Sequence, residues 1–202
     1  MNKNIKYGIG LVLLLFLAYN SVYFTDLDKM KSEDADAIDF NARATQLYAG
    51  IIAENTATDL NTLKAALSTL PDSAFANYGN RLGIGESAYF MVNVAGKVQS
   101  INDGEILLQT EAGESITVQT KFIFGNAIRD ASGLVALTDY KTNADFNKLS
   151  EALNTIIREE KLPTAVQKIS VGEVIKVEGA LKLTKGQPLN TQLEILPVLI
   201  EK

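Results

Sequence analysis

Apolar residues follow two different repeats along the chain, and the repeat changes near residue 80. Before that point they recur every three to four positions, which is the period of an amphipathic helix. This repeat predicts helices over about 35–53 and 59–70, the second capped by Thr58 and stopped by Pro71, and a helical turn at 73–78. The expected core positions of the two longer helices are Phe40, Ala44, Leu47, Ile51, Leu60, Leu63, Leu67 and Leu70.

From Ser87 onward, apolar and polar residues alternate, which is typical of strands with one buried face. The alternation predicts three strands in succession, which make an antiparallel meander. The strands cover about residues 87–98, 106–110 and 116–122. Turn residues at 102–104 and 112–114 connect them.

A polar stretch containing glycine follows the meander, and the helical repeat then returns over about 145–161, with Pro163 just past its end. Two further alternating segments come after it, at about 175–183 and 193–200. Pro197 in the last segment indicates an edge position or a bulge, because proline cannot donate a ladder hydrogen bond.

Three strands, a helix and two more strands is the order of an OB-fold, a five-stranded Greek-key barrel. We therefore predict an α+β protein in which a membrane anchor and a helical segment precede an OB-like five-stranded β-barrel, with a helix between strands three and four. A generic α+β sandwich is the alternative. The predicted divisions are an anchor at 1–25, a tether and helical segment at 26–80, and the barrel at 81–202.

Residues 7–24 are mostly apolar and follow Lys3 and Lys6. About 18 residues at about 1.5 Å each reach about 27 Å, just enough to cross the hydrocarbon core of a bilayer. Lysines before the span and aspartates after it predict that the rest of the chain lies outside the cytoplasm. A cleaved signal peptide and a buried core helix are alternatives, but residues 18–21 lack the small-residue pair that cleavage requires. We expect an uncleaved single-pass anchor in the inner membrane, with the domain in the periplasm.

Composition removes several classes of function. The chain has no cysteine and no histidine, so disulfides, thiolate metal sites and Ser-His-Asp catalysis have no residues to form them. We predict no metal, no cofactor and no enzymatic activity. The formal net charge of −5 disfavours phosphate backbones, so no nucleic-acid partner is expected.

The polar segment between the third strand and the long helix is the strongest candidate for a ligand site. Two glycines, Gly125 and Gly133, enclose the candidate ligand-binding residues, which are Asn126, Arg129, Asp130 and Ser132. Glycine permits a close approach of the backbone, and arginine offers a planar fork for a carboxylate, a phosphate or a pair of hydroxyls. The alternative is that Arg129 and Asp130 pair with each other and only cap the loop. A third reading, an enzyme that uses Asp130 or Lys121, lacks a base close by in sequence.

OB barrels bind ligands across strands two and three and their flanking loops. In this chain those strands carry Gln109, Thr117, Gln119 and Lys121, with few aromatic residues on which bases could stack. A small polar ligand, a carbohydrate or a protein partner suits such a surface better than an oligonucleotide.

Several segments together resemble a bacterial family of unknown function whose members are described as predicted periplasmic lipoproteins. The segments are Leu82-Gly83-Ile84-Gly85, Tyr89-Phe90, residues 124–135, Asp145-Phe146-Asn147, Arg158-Glu159-Glu160 and Val171-Gly172-Glu173. The similarity covers residue 22 to the C-terminus. It implies an OB-like domain, an envelope location and, from neighbouring sugar-transporter genes in the family, an accessory role in sugar uptake. It implies no catalytic residue.

One departure from the family concerns membrane attachment. Asn20 stands where the family would carry the lipid-bearing cysteine, so we expect the apolar span at 7–24 to be the anchor. The resulting hypothesis is a membrane-anchored periplasmic binding or accessory protein, whose partner is a sugar transport system or a small polar ligand. The alternative is a structural or protein-interaction module with no small-molecule ligand.

Overall fold

The computed structural model describes residues 3, 5, 7, 16, 38–81, 85–187, 189 and 192–202. Apart from Tyr7 and Phe16, the predicted anchor at 7–24 lies outside these residues. The start of the predicted tether and helical segment, residues 26–37, and the predicted boundary at residue 25 also lie outside them. Contacts divide the chain into two units, Met1–Ile38 and Asp39–Lys202.

The first unit is described at five positions only. Four of them, Lys3, Ile5, Tyr7 and Phe16, are helical. Within the described part of the chain, no helix combines the length and apolar character needed to cross a membrane.

The second unit begins with three helices, α1 (Phe40–Glu54), α2 (Leu60–Thr69) and α3 (Pro71–Tyr78). The predicted cap of α2 at Thr58 is wrong, because Asp59 accepts the hydrogen bond from Thr62 N at 2.9 Å. Leu70 is wrong as a core residue, since α2 ends before it and its side chain is 65% exposed. The predicted boundary at residue 80 falls inside this unit.

Within the described residues, seven strands form one sheet. They are β1 (Thr58–Asp59), β2 (Gly79–Asn80), β3 (Ser87–Asn102), β4 (Glu105–Gln109), β5 (Ser115–Gln119), β6 (Val174–Thr184) and β7 (Leu193–Glu201). The five longer strands pair in a closed circuit, β3–β4–β5–β7–β6 and back to β3. The β5–β7 ladder is parallel and the other four are antiparallel. The two-residue strands β1 and β2, which periodicity did not predict, both pair with β3.

A bulge lies in the β6–β7 ladder, where the register shifts between Glu178 and Gly179. Pro197 lies opposite Gly179 at this shift, which confirms the bulge predicted for the proline. A Cβ atom at Gly179 would collide with the carbonyl oxygen of Leu196, so only glycine fits there.

The third strand is shorter than its alternation predicts. Pairing between β5 and β4 ends with Gln119 opposite Glu105, where β4 begins. Beyond this pair no strand residue remains on β4 to continue the ladder, so Phe122, at the end of the predicted strand, is 60% exposed.

The connection between β5 and β6 carries five helical segments: α4 (Ala127–Ser132), a 3₁₀ turn (Leu137–Asp139), α5 (Asn143–Thr155), a π-helical segment (Ile156–Lys161) and α6 (Leu162–Val166). Pro163 does not end the helical run as predicted. It lies in the first turn of α6, where a missing backbone N–H costs little. The apolar face of α5 packs into the same core as the sheet, through Phe146, Leu149 and Leu153.

Candidate functional site

The segment predicted to bind a ligand forms the short helix α4 and the residue before it, Asn126. Arg129 and Asp130 are only 4% and 2% exposed. The Arg129 Nε atom donates to Asp130 Oδ1 at 2.8 Å, and Nη2 lies 2.7 Å from the same oxygen. The Asn126 amide donates to the other oxygen, Oδ2. Both oxygens of the carboxylate therefore have partners inside the segment, which is the internal pairing that the sequence left open.

The end of α4 is braced by Ser132 and by the glycine that follows it. Ser132 Oγ donates to Arg129 O at 2.6 Å. Gly133 has φ of 66°, and a Cβ atom there would lie 3.0 Å from Asn80 Oδ1. Asn80 Nδ2 in turn donates to Ala131 O at 2.9 Å. The four predicted site residues thus come together, with Arg129, Asp130 and Ser132 directed mainly at their own backbone and neighbours.

Arg129 also fastens α4 to α5. Its Nη1 atom donates to Phe146 O at 2.8 Å, and its Cζ atom lies 3.5 Å from the centroid of the Phe146 ring. A guanidinium that stacks on an aromatic face and donates to a carbonyl at its edge is held in one orientation. The Arg129 side chain is therefore a structural link between two helices.

A depression of about 540 Å³ borders this cluster. Its lining includes Arg81, Tyr89, Asn126, Arg129, Asn143 and Asn147. We call it the Arg129 depression. The deep burial of Arg129 leaves the asparagines, Arg81 and Glu86 as its more accessible polar groups.

A second depression, of about 450 Å³, lies between residues 124–126 and the polar face of α5. We call it the α5 depression. Its helical lining residues follow one another at helical spacing: Asn147, Ser150, Glu151, Asn154 and Arg158. The sequence analysis did not identify this group. Its members recur at the same helical spacing as the apolar residues of α5, so the pattern was present in the sequence.

Two hydrogen bonds from the helix hold the loop that closes the α5 depression. Asn154 Nδ2 donates to Gly125 O at 2.7 Å, and Arg158 Nη1 donates to Ile123 O at 3.0 Å. The Phe124 ring lies over the Arg158 guanidinium, with 4.9 Å from Cζ to the ring centroid, yet Phe124 is 62% exposed. The loop therefore presents an aromatic ring to solvent on a fixed backbone.

Asn126 lies where three depressions meet. Besides the two already described, it lines a larger one of about 780 Å³ between α2, α3 and the end of β6, bordered by Leu67, Phe75 and Lys182. Its Nδ2 atom is used by Asp130, whereas its Oδ1 atom accepts no hydrogen bond within the described residues.

The polar residues expected on the second and third barrel strands are Gln109, Thr117, Gln119 and Lys121. Thr117 is buried and accepts a hydrogen bond from Gln192 at 2.7 Å. Lys121 lies just beyond β5 and is ion-paired with Asp103 at 2.9 Å. Gln119 differs from these two residues, because its Oε1 atom is buried and has no hydrogen-bond partner among the described residues.

One buried carboxyl group lies apart from these depressions. Glu178 on β6 is buried, and its Oε1 atom has no hydrogen-bond partner among the described residues. Burial raises the pKa of Glu178, Lys176 opposes the rise and Glu201 adds to it. Burial and the nearby Glu178 charge also raise the pKa of Tyr48.

Among the residues for which positions are described, no cluster of three or more acidic residues could hold a metal ion.

Comparison with known proteins identifies the family. The family model described as "Predicted periplasmic lipoprotein (DUF2291)" matches residues 12–201. The chain belongs to this family. Its members are of unknown function, and the description indicates the cell envelope as their location. None of the 202 residues is cysteine, so lipid attachment through cysteine has no acceptor within them.

One solved structure of an OB-fold protein is similar to this chain. An OB-fold protein from Thermotoga maritima is 23% identical, and the match covers 82% of this chain and 98% of that one with a TM-score of 0.70. At this identity the likeness concerns the fold alone. An OBody bound to hen egg-white lysozyme is 15% identical, covering 56% of this chain and 78% of its own, and its TM-score of 0.23 is too low to support an argument. No curated protein matches the chain.

Proposed function

We propose that this family member is a non-enzymatic binding or accessory module of the periplasm, held to the inner membrane by residues 7–24 and serving a sugar-uptake system. The family description supports the periplasmic location. The lysines that precede the apolar stretch support the orientation.

The junction at Asn126 carries the binding role. Three depressions converge on one half-buried amide whose carbonyl oxygen has no partner among the described residues. Binding sites are typically concave, with a few polar groups that fix the orientation of the ligand. The other predicted site residues, Arg129, Asp130 and Ser132, form the rigid wall behind Asn126 and hold it in place.

The scaffold of this site is, in our proposal, a five-stranded OB-like barrel with α5 between its third and fourth strands. The closed pairing circuit of β3, β4, β5, β7 and β6 supports it, and so does the likeness to the Thermotoga protein. In this arrangement the β5–β6 connection, which carries Asn126, α4 and α5, lies outside the barrel strands that OB-folds most often use for ligands.

The state of Asp130 supports a non-enzymatic role. A general base or nucleophile needs an accessible lone pair within reach of its substrate. Asp130 is 2% exposed, and its oxygens accept from Arg129 and Asn126. It is therefore poorly placed to take a proton from a substrate.

A structural or protein-interaction module with no ligand is the second candidate. The observation that favours it is the fastening of α4 to α5 by Arg129, which serves the fold without any ligand. The first candidate requires a ligand in the depressions beside Arg129, and the second requires none.

A transport measurement tests the accessory role. The gene is deleted from its host, and uptake of a panel of labelled sugars is compared with that of the parent strain. We expect uptake of at least one sugar to fall several-fold and to recover when the full chain is restored. Unchanged uptake across the panel would contradict the proposal.

Complementation of the deletion strain with variants tests whether the binding site lies at Asn126. Asn126→Ala is expected to restore uptake poorly, because it removes the amide at which the depressions meet. The matched control is Asn77→Ala on α3, where the exposed amide donates only to Ser73. If both variants restore uptake equally, the binding site does not lie at Asn126. Protein levels in the membrane fraction are measured for each variant.

A further inference from the structure

Ser150 is a buried hydroxyl group with an unusual lack of partners. It is 4% exposed, and its Oγ atom has no hydrogen-bond partner among the described residues. A serine inside a helix ordinarily donates to the carbonyl four residues earlier, which here is that of Phe146. That carbonyl accepts the helical N–H of Ser150 and also Arg129 Nη1 at 2.8 Å, so both of its lone pairs are occupied. The Arg129 link thus leaves the Ser150 hydroxyl unpaired.

The unpaired hydroxyl lines the α5 depression together with the Asn147 amide, which can donate and accept, and with three groups that offer acceptor oxygens, Asn126, Asn154 and Glu151. Asn126 and Asn154 both use their Nδ2 atoms internally, and neither Oδ1 atom accepts a bond from the described residues. The Glu151 carboxylate at the exposed rim forms no ion pair with any described residue. A ligand that fills the depression therefore needs several hydrogen-bond donors.

The charges and the aromatic ring narrow the ligand class further. The Arg158 guanidinium already covers one side of the Phe124 ring, so a cationic group stacked on the ring would lie close to a like charge that the ion pair with Glu159 at 2.9 Å offsets only in part. Glu151 attracts a cation only weakly, because its exposed carboxylate is screened by solvent. An anionic ligand would meet Glu151 and the carbonyl oxygens of two asparagines. A neutral molecule with several hydroxyl groups satisfies the acceptors without either repulsion, and its C–H face can pack on the exposed side of Phe124.

We propose that the α5 depression is a binding subsite for a small, neutral, polyhydroxylated molecule. Its hydroxyl groups donate to Asn126 Oδ1, Asn154 Oδ1 and Glu151, one of them also bonds Ser150 Oγ, and its apolar face lies on Phe124. The assignment rests on the proposed function, because it names the ligand class that the binding module captures.

Calorimetric titration of the full chain tests the class of ligand. The protein is kept in a detergent without a sugar headgroup and titrated with glucose, galactose, ribose and myo-inositol, and separately with putrescine and acetate. We expect saturable binding of at least one of the four polyols and none of the charged molecules. Binding of putrescine or acetate in place of every polyol would overturn the assignment, and so would binding of none of the six.

Ser150→Ala separates a binding role from a structural one. Removing a hydroxyl that has no partner leaves the melting temperature unchanged or slightly higher, whereas loss of its bond to the ligand weakens polyol binding about tenfold. The matched control is Ser68→Ala on α2, where Oγ donates to Lys64 O at 2.8 Å, four residues earlier. Polyol binding of the control is expected to equal that of the wild type. If Ser150→Ala binds as tightly as the wild type, the hydroxyl does not contact the ligand.

Phe124→Ala and Phe122→Ala form a second matched pair. The two rings are two residues apart and almost equally exposed, 62% and 60%, but only Phe124 lines the depression. We expect Phe124→Ala to weaken binding about tenfold and Phe122→Ala to leave it unchanged. Equal effects of the two changes would contradict the contact with Phe124.

The two proposals fail in different ways. If deletion lowers sugar uptake but the purified chain binds no polyol, the accessory function stands and the α5 depression is not its ligand site. If a polyol binds with the expected response to Ser150→Ala but uptake in the deletion strain is unchanged, the subsite stands and the role in transport is wrong.

Discussion

The Arg129 cluster on α4 and the polar face of α5 contain similar side chains but differ in how their polar groups are used. In the cluster, Asp130 accepts from Arg129 and Asn126, and Ser132 donates to a backbone carbonyl. On the α5 face, Ser150 and the carbonyl oxygen of Asn154 have no such partners among the described residues. A dense group of polar residues is therefore available for a ligand only where the protein has not already paired them.

The largest expected effect comes from breaking the satisfied cluster. Arg129→Met leaves the buried Asp130 carboxylate without its cation, and the expected loss is about 3–5 kcal/mol in the free energy of unfolding. Chemical denaturation monitored by circular dichroism measures it. The double variant Arg129→Met with Asp130→Leu is expected to recover a substantial part of the loss, because no unpaired charge remains. A single variant as stable as the wild type would show that the pair is not part of the fold.

A smaller loss is expected at the brace that ends α4. Gly133→Ala places a Cβ atom at positive φ and against Asn80, which holds Ala131 O, and costs about 1–2 kcal/mol. Gly113→Ala is the control, because its φ of 81° is similar but a Cβ atom there meets nothing within 4 Å. Thermal unfolding is expected to show the larger decrease for Gly133→Ala. Equal decreases would mean that Asn80 gives way without cost.

Glu178 offers a test of an unsatisfied group outside the depressions. Its pKa is raised by burial, so the folded protein holds the proton more tightly than the unfolded chain. The associated stability is fully present below the unfolded pKa of about 4.3 and is lost as pH rises through the folded pKa. Glu178→Gln removes this dependence. We expect the variant to be more stable than the wild type at pH 8, with a difference that shrinks toward pH 4 in denaturant titrations. A difference independent of pH would contradict the buried, protonatable carboxyl.

The smallest change in stability is expected at Ser150, where the alanine variant differs from the wild type by less than about 0.5 kcal/mol. Arg129→Met and Ser150→Ala together compare the stability lost when a paired polar group is removed with that lost when an unpaired one is removed. A large loss at Ser150 would show that its hydroxyl has a partner after all.

The sequence predicted most of the fold because the apolar repeat is a local property. The stripe through Ala44, Leu47 and Ile51 is buried, and β6 and β7 lie close to their predicted positions. The errors occur where a non-local contact determines the end of an element. At Phe122, for example, strand pairing has already stopped, because β4 begins at Glu105. The six-residue helix α4 is too short for a repeat to reveal.

The candidate site was predictable only in part, for the same reason. The residue types of the Arg129 segment marked it as unusual, and its internal pairing was already one of the alternatives. The link from Arg129 to Phe146 joins residues 17 positions apart, and the unpaired state of Ser150 follows from that link. No local pattern contains this information. The polar stripe on α5 is present in the sequence pattern, but polar stripes on helices are usually solvated surfaces and do not by themselves indicate a site.

The long strand β3 also determines the order in which the molecule can assemble. Of its 16 residues, those from Ser87 to Lys97 pair with β6, from Ser87–Thr184 to Lys97–Val174, which joins positions 77 to 97 apart in the chain. Closing so large a loop is entropically costly and makes folding slow. While the chain is synthesised from its N-terminal end, β3 stays without this partner until β6, Val174–Thr184, has followed. Amide protons at the centre of β3 are then expected to be among the last to become protected during refolding.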